Sequence, residues 1–266
     1  FKNLNSDVFN KRLEVEKIIF HYIKHQCYID GINPVNGEKS KFHISINRPK
    51  LIGTVNVPHL RECFHDKKMH LNSRERFMQL LIKDTAKNLD TNILLMEEKT
   101  NFSESLSKEY TNLECCIDSS IFNIDQSENY TLIDLETDLS SKKYGLVILN
   151  ESLQFYPNPV IILNKIFDRI ESGGSLILSI PFMESLEETD VLGEILNGKL
   201  KLHQDLIYYR DPYSNNNKVV SYNIFGWDIL NKLKYVGFYD TKVSIYWSLK
   251  HGILGNDLFL IKAVKK

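Results

Sequence analysis

The polar and apolar positions divide the chain into two unlike parts. From Ser6 to Gln26, Val8, Phe9, Leu13, Val15, Ile18, Ile19, Tyr22 and Ile23 recur at helical spacing, which predicts a helix with Ser6 as its N-cap. Residues 30–58 lose that period. Gly31, Pro34, Asn36, Gly37, Pro49, Gly53 and Pro58 punctuate them, so the stretch reads as loop. Ser73 to Leu89 predicts a second helix, with Phe77, Leu80, Leu81 and Ala86 as its apolar stripe. Residues 1–90 are therefore expected to form a helical and loop extension.

From Thr91 onward, short β-rich runs alternate with helical stretches. Ile93–Met96, Leu113–Ile117, Tyr130–Ile133, Tyr144–Leu149 and Ser175–Ile180 read as strands. Ser103–Tyr110 and Pro159–Glu171 read as helices, the second closed by Gly173 and Gly174. A helix over Gly226–Tyr235 precedes two more strands, near Thr241–Tyr246 and Leu258–Ala263. This alternation predicts an α/β domain over residues 91–266, built on a mostly parallel sheet with helices on both faces. The last two strands lack a full helix between them, so an antiparallel pairing and one inverted strand are expected. The weakly patterned residues 184–222 are expected to form a lid-like insertion.

Composition narrows the function classes. With 33 basic and 34 acidic residues interleaved, the net charge of -1 offers no electrostatic footprint for nucleic acid. No run approaches the roughly 18 apolar residues of a membrane span. No apolar segment follows the polar Phe1–Asn10, so no secretion signal is read. A chain opening on Phe1 is expected to start inside a longer one or to follow a removed tag. Cys115 and Cys116 point to opposite faces of a strand and are poorly placed to pair. With Cys27 and Cys63 they are read as reduced thiols in a cytoplasmic setting.

In open α/β sheets, ligands bind at the carboxyl ends of the strands. Glu97 and Thr100 follow the first strand, Asp118 the second, Asp134 and Leu135 the third, and Asn150 and Glu151 the fourth. Asp118 is placed to accept both hydrogen bonds of a ribose diol, although a solvated loop carboxylate has the same spacing. Asp134 could accept from an adenine amino group, with the Leu135 amide reading the ring.

Tyr144-Gly-Leu-Val-Ile-Leu-Asn-Glu-Ser-Leu-Gln-Phe-Tyr-Pro-Asn-Pro159 resembles the "FDLVISNEVLEHVPDP" segment of class I S-adenosylmethionine (SAM) methyltransferases. The adjoining Ile166–Phe182 is similar to their "hRvLKPGGrLllsvPF" motif. Leu60-Arg61-Glu62 and Leu71-Asn72-Ser73-Arg74-Glu75-Arg76 resemble the "LRE…GLNSRQR" lead-in of a bacterial subfamily. The first loop of that subfamily, "TEQVTP", is similar to Met96–Asn101, and its ending is similar to Phe225–Asp228 and Tyr246–Gly255. The resemblance runs from about Leu60 to Ala263. It implies a Rossmann-like, seven-stranded sheet with an antiparallel last strand, SAM as cofactor, and a saccharide or other small-molecule acceptor, frequently for cell-surface polymers. It also implies roles: Glu97 and Thr100 at the methionine part of SAM, Asp118 at the ribose, Asp134 and Leu135 at the adenine, and Asn150 near the transferred methyl group.

Departures from the family pattern keep a second function in view. No glycine lies between Thr91 and Asp118, Gly145 replaces the usual acidic residue, and Phe155 stands where the family has histidine. These favour a non-catalytic scaffold or regulatory module, with a neighbouring domain or second copy as partner. The scaffold predicts a first-loop pocket filled by Met96, Glu98 or Lys99; the enzyme predicts an open cleft above Asn150. Tyr209-Arg210-Asp211-Pro212 resembles a "YHGDP" stretch. Tyr209 and Arg210 are candidate acceptor-binding residues, Asp211 a candidate catalytic carboxylate, and His251 beside Gly252 a candidate general base. Phe155, Tyr156, Tyr208 and Tyr213 could also line a sugar site or pack a core. Paired cysteines suggestive of zinc in related proteins correspond to Asn33, Asn36, Asp66 and Met69, so no structural zinc is expected. Cys63, His65 and His70 have a non-standard ligand spacing and no evident fourth partner.

Overall fold

A computed structural model of the protein describes residues 6–23, 28–44, 59–97, 99–122, 131–135, 141–211, 217–256 and 258–266. They group into two compact units: Phe1–Lys83 with Ile245–Leu258, and Asp84–Ser244 with Phe259–Lys266. The expected division near residue 90 did not anticipate that residues 245–258 group with the N-terminal unit.

In the N-terminal unit, helix α1 spans Ser6–Ile23 and buries Glu16 and Ile19. Strands β1 (Ile29–Ile32) and β2 (Lys39–Ile44) pair antiparallel, Ile29 opposite Phe42 and Ile32 opposite Lys39. Helix α2 (Leu60–Cys63) leads into β3 (Phe64–Asp66), antiparallel to β2. This corrects the loop reading of residues 30–58 over its first half; residues 45–58 lie outside the described residues. The hairpin was hidden because alternation in β2 buries only Ser40 and Phe42, a polar residue and one aromatic. Helix α3 (Ser73–Thr85) ends before the expected Leu89, which is exposed. Ile19, Phe42, Leu60, Cys63, Phe64 and Leu254 form the apolar core of this unit.

One buried cation organises its loops. The Arg76 guanidinium is fully buried and donates to the carbonyls of Leu71, Phe64 and Gly252. It lies 4.8 Å from the Phe42 ring centroid, a cation–π arrangement. Burial lowers its pKa to about 9, opposed by Asp66 and Glu75, so it is charged at neutral pH.

The second unit is built on consecutive apolar residues. Strand β4 (Ile93–Met96) is buried at all four positions, as expected of a strand covered on both faces. Helix α4 (Asn101–Ser107) starts earlier than Ser103 because Thr100 and Ser103 close a reciprocal capping box. Strand β5 (Leu113–Cys115) is parallel to β4. Strands β6 (Ile117–Asp118) and β7 (Leu132–Ile133) form a separate parallel pair. Strand β8 (Tyr144–Asn150) is parallel to β4, helix α5 spans Pro159–Arg169, and β9 (Ile170–Ser179) is parallel to β8. Gly173 and Gly174 lie inside β9, not at a helix end, because the register slips between Tyr144–Ile170 and Leu146–Ser175 and bulges the intervening residues.

The insertion is a set of hairpins. Strand β10 (Asp190–Val191), β11 (Gly193–Leu196), β12 (Lys199–Leu202), β13 (Ile207–Arg210), β14 (Lys218–Ser221) and β15 (Asn223–Ile224) pair antiparallel as β10–β15, β11–β12 and β13–β14. Helix α6 (Asp228–Val236) is followed by β16 (Phe238–Ile245) and β17 (Phe259–Lys265).

The sheet order is β16-β17-β9-β8-β4-β5, with β17 antiparallel to β9. Among the described residues it holds six strands where seven were expected. The difference lies at Cys116, whose N–H bonds Leu95, whereas the next N–H, on Ile117, bonds Thr131. Pairing therefore switches from β4 to β7 along one extended run, leaving β7 outside the six-stranded ladder. At Gly145 a Cβ would lie 2.8 Å from the Thr91 methyl, closer than packed side chains come.

Candidate functional site

The chain leaves β4 towards β5 on one side and reaches β8 on the other, so the gap between the carboxyl ends of β4 and β8 is the topological switch point. Glu97 and Asn150 meet there: the Asn150 amide donates to Glu97 Oε2. The Thr100 hydroxyl donates to Glu97 Oε1 at 2.6 Å, so three predicted residues form one network. Thr100 is fixed in turn as the N-cap of α4.

Asp118 ends β6 and is 2% exposed. Its Oδ1 accepts from the Ser120 N–H at 2.9 Å and the Ser120 hydroxyl at 2.7 Å; Oδ2 accepts from the Tyr156 hydroxyl. Leu135 is fully buried and Asp134 half-buried just beyond β7. Met96 is buried within the sheet, Lys99 is exposed, and Glu98 lies outside the described residues.

Of the residues immediately after Asn150, the sequence marked Glu151 by its place after the strand but not Ser152 or Gln154. Glu151 has φ of +53°, an uncommon conformation for a residue with a Cβ and a source of local strain. Its carboxylate accepts from the Ser179 hydroxyl at 2.5 Å. Ser152 Oγ and Gln154 Oε1 are buried without a hydrogen-bond partner. Such orphaned atoms are uncommon, and here they lie beside the switch point. Their positions depend on the chain path after β8, which no local pattern records.

The acceptor-side candidates fall in different places. Tyr209 and Arg210 are on β13, and Asp211 follows them, buried, with its N–H on Asn217. The Tyr209 ring meets Phe155 edge-on at 5.6 Å, and Phe155 meets Phe122 at 5.8 Å. Tyr208 is exposed, and Tyr213 lies outside the described residues. His251 belongs to the N-terminal unit, where its Nδ1 is 2.8 Å from the Tyr246 hydroxyl. Burial, then the nearby Lys250, lower its pKa, so the ring is neutral at pH 7.

The remaining expectations concern metals and thiols. Asn33, Asn36 and Asp66 accept from backbone N–H groups of their own turns, and the Asn33 amide contacts Met69 Sδ at 3.1 Å. Among the described residues, no group of three His, Cys, Asp or Glu side chains is placed to hold a metal. Cys63, Cys115 and Cys116 are free thiols; burial pushes Cys63 and Cys116 up to about 12. No helix among the described residues is long and apolar enough to cross a membrane. A groove of about 680 Å³ lies beside β5, lined by Lys99, Glu104, Glu114 and Lys142 among others. It also takes in Asn92, Leu113 and Tyr144, at the amino ends of the strands.

No protein-family model and no curated protein sequence matches the chain. Among solved structures, the glycopeptide N-methyltransferase MtfA with S-adenosylhomocysteine (SAH) is similar at 15% identity and a TM-score of 0.46, covering 73% of this chain and 89% of that one. A SAM-dependent methyltransferase from Clostridium acetobutylicum ATCC 824 is similar at 11% identity and a TM-score of 0.42, covering 73% and 90%. The N-methyltransferase NodS from Bradyrhizobium japonicum WM9, in complex with SAH, is similar at 11% identity and a TM-score of 0.37, covering 72% and 85%. These three solved structures are named as methyltransferases, and the MtfA and NodS structures contain SAH.

Proposed function

We propose that this chain is a SAM-dependent methyltransferase acting on a saccharide or cell-surface polysaccharide precursor through a hydroxyl or phosphate oxygen. The observation that carries the reading is the Glu97–Asn150 hydrogen bond across the switch point, with Thr100 on the same carboxylate. The donor set fits the cofactor. Carboxylates suit its ammonium and its ribose hydroxyls, and Ser152 Oγ and Gln154 Oε1 are polar atoms still lacking partners. When bound, the cofactor supplies a methyl group on a positively charged sulfur.

The residues of the chain divide the remaining work. Glu97, steadied by Thr100 and Asn150, would hold the amino-acid part, and Asp118 the ribose. Asp134 and the Leu135 amide would flank the adenine. Tyr209, Arg210 and Asp211 are proposed to meet the acceptor, beneath the hairpins of residues 184–222. In-line methyl transfer needs an aligned acceptor that has lost its proton. The saccharide class rests on the sequence resemblance.

A non-catalytic scaffold is the second reading. One observation favours it: both oxygens of Asp118 are already bonded within the chain. Calorimetric titration with SAH separates the two. Micromolar binding that disappears in Asp118→Ala is the expected result. No binding up to millimolar SAH would overturn the enzyme.

A further inference from the structure

The hydrogen bonds of Asp118 can be counted against what a ribose requires. A carboxylate offers about four lone-pair sites. The Ser120 N–H and hydroxyl take two on Oδ1, and the Tyr156 hydroxyl takes one on Oδ2. A ribose diol brings two further donors, one more than the carboxylate can receive. One internal donor must therefore leave when a diol binds. The Ser120 N–H belongs to the turn that follows β6 and stays with its backbone. Tyr156 reaches Asp118 from 38 residues away and is the donor supplied by a different segment.

Tyr156 is also tied to the insertion. Its carbonyl accepts from the Asn223 side chain at 2.9 Å, and the carbonyl of Gln154 accepts from the Tyr222 N–H at 2.8 Å. Tyr156 and Asn223 are both almost fully buried. Between these anchors, the Phe155 ring packs on Tyr209 of β13. The segment carrying the Tyr156 hydroxyl is thus gripped by the return strands of the insertion.

We infer that Tyr156 is a built-in competitor for the nucleoside ribose at Asp118, and that its displacement couples cofactor binding to the insertion of residues 184–222. The inference rests on the proposed cofactor reading. A ribose diol on Oδ2 strips a buried hydroxyl of its acceptor, which is costly unless the hydroxyl moves to a new partner. Movement of Tyr156 pulls on Asn223 and on the Gln154–Tyr222 bond, so the hairpins respond to an occupied ribose subsite. The ligand class is a nucleoside with a free cis-diol, and Tyr156 acts as a positioning residue.

The test is calorimetric titration of the full chain with SAH, for the unaltered protein and for Tyr156→Phe, Ser120→Ala and Asp118→Ala. Amide hydrogen exchange over residues 184–222 accompanies it. Tyr156→Phe keeps the ring and removes the hydroxyl that donates to Asp118. SAH is expected to bind Tyr156→Phe about fivefold more tightly than the unaltered protein, the worth of about one net hydrogen bond. SAH is also expected to change exchange over residues 184–222 in the unaltered protein and to leave it unchanged in Tyr156→Phe. Equal or weaker binding in Tyr156→Phe, with binding abolished in Asp118→Ala, overturns the competition and leaves the cofactor reading standing. Tightening confined to Ser120→Ala does the same, as does unchanged exchange in an unaltered protein that binds SAH. Absence of binding in both the unaltered protein and Tyr156→Phe overturns the cofactor reading and the inference together.

Discussion

The two compact units hold themselves together by different chemistry. In the unit of residues 84–244 and 259–266, β4, β8, β9 and β17 bury continuous apolar runs such as Leu146–Leu149 and Leu176–Leu178, and backbone pairing satisfies their peptide groups. In the unit of residues 1–83 and 245–258, strands are short and the buried set is mixed. Arg76, Asp66 and Glu16 are as buried as Phe42 and Leu60. Glu16 accepts from both the Trp247 indole and the Gly255 N–H at 2.7 Å, tying α1 to residues 245–258. A sheet satisfies its own polar backbone, whereas a unit rich in loops needs side chains to do so. The first kind of core is weakened by cavities, the second by lost partners.

That contrast can be broken or sharpened by measurement, because each unit carries one tryptophan, Trp227 in the sheet unit and Trp247 in the other. Ile148→Ala empties part of a fully buried site on β8 and should cost about 3–4 kcal/mol, read from urea unfolding by Trp227 emission. Arg76→Met should cost about 3 kcal/mol by Trp247 emission, because the Phe64, Leu71 and Gly252 carbonyls each lose a charged donor, although Leu71 keeps the Asp66 N–H and Gly252 the Ser73 hydroxyl. A neutral Arg76→Met would show that apolar packing suffices in both units, as replacement of buried ion pairs sometimes does. Gly237→Ala should cost about 1–2 kcal/mol in the sheet unit. Gly237 has φ of +125° at the end of α6, and a Cβ would lie 2.8 Å from Phe167.

A pH dependence confined to the N-terminal unit tests the same contrast through an ion pair. Burial alone would raise the Glu62 pKa, but Arg74, bonded at 2.7 Å, and Arg61 hold it at about 2. A carboxylate lowered in the folded state adds stability above its unfolded pKa of about 4.3 and loses it as pH falls through the folded value. Trp247-monitored stability should decline between about pH 4 and pH 2, and Glu62→Gln should flatten that decline. An equally steep decline in Glu62→Gln would remove this ion pair as the cause.

Legibility followed the same divide. The strands β4, β8 and β9 could be read because consecutive apolar residues bounded by polar ones announce a strand buried on both faces. The β1–β2 hairpin could not, since its buried positions include Ser40 and its apolar residues are few. The hairpins of the insertion also escaped notice: Ile195, Leu196, Leu200 and Leu202 are all exposed, so apolarity there does not track burial. At the candidate site, Glu97, Asn150 and Asp118 were found because they follow strands. Tyr156, Ser152 and Gln154 gained their significance only from the path of the segment after β8.

By itself, the sequence determined which runs become the central strands, the helices between them, and the polar residues that terminate them. Those are consequences of local period and local burial. The tertiary structure decided which distant partners meet: Tyr156 on Asp118, Asn150 on Glu97, and Arg76 on the Gly252 carbonyl 176 residues away. Such pairs depend on where separate segments cross, and a hydrogen bond between them leaves no periodic trace along the chain.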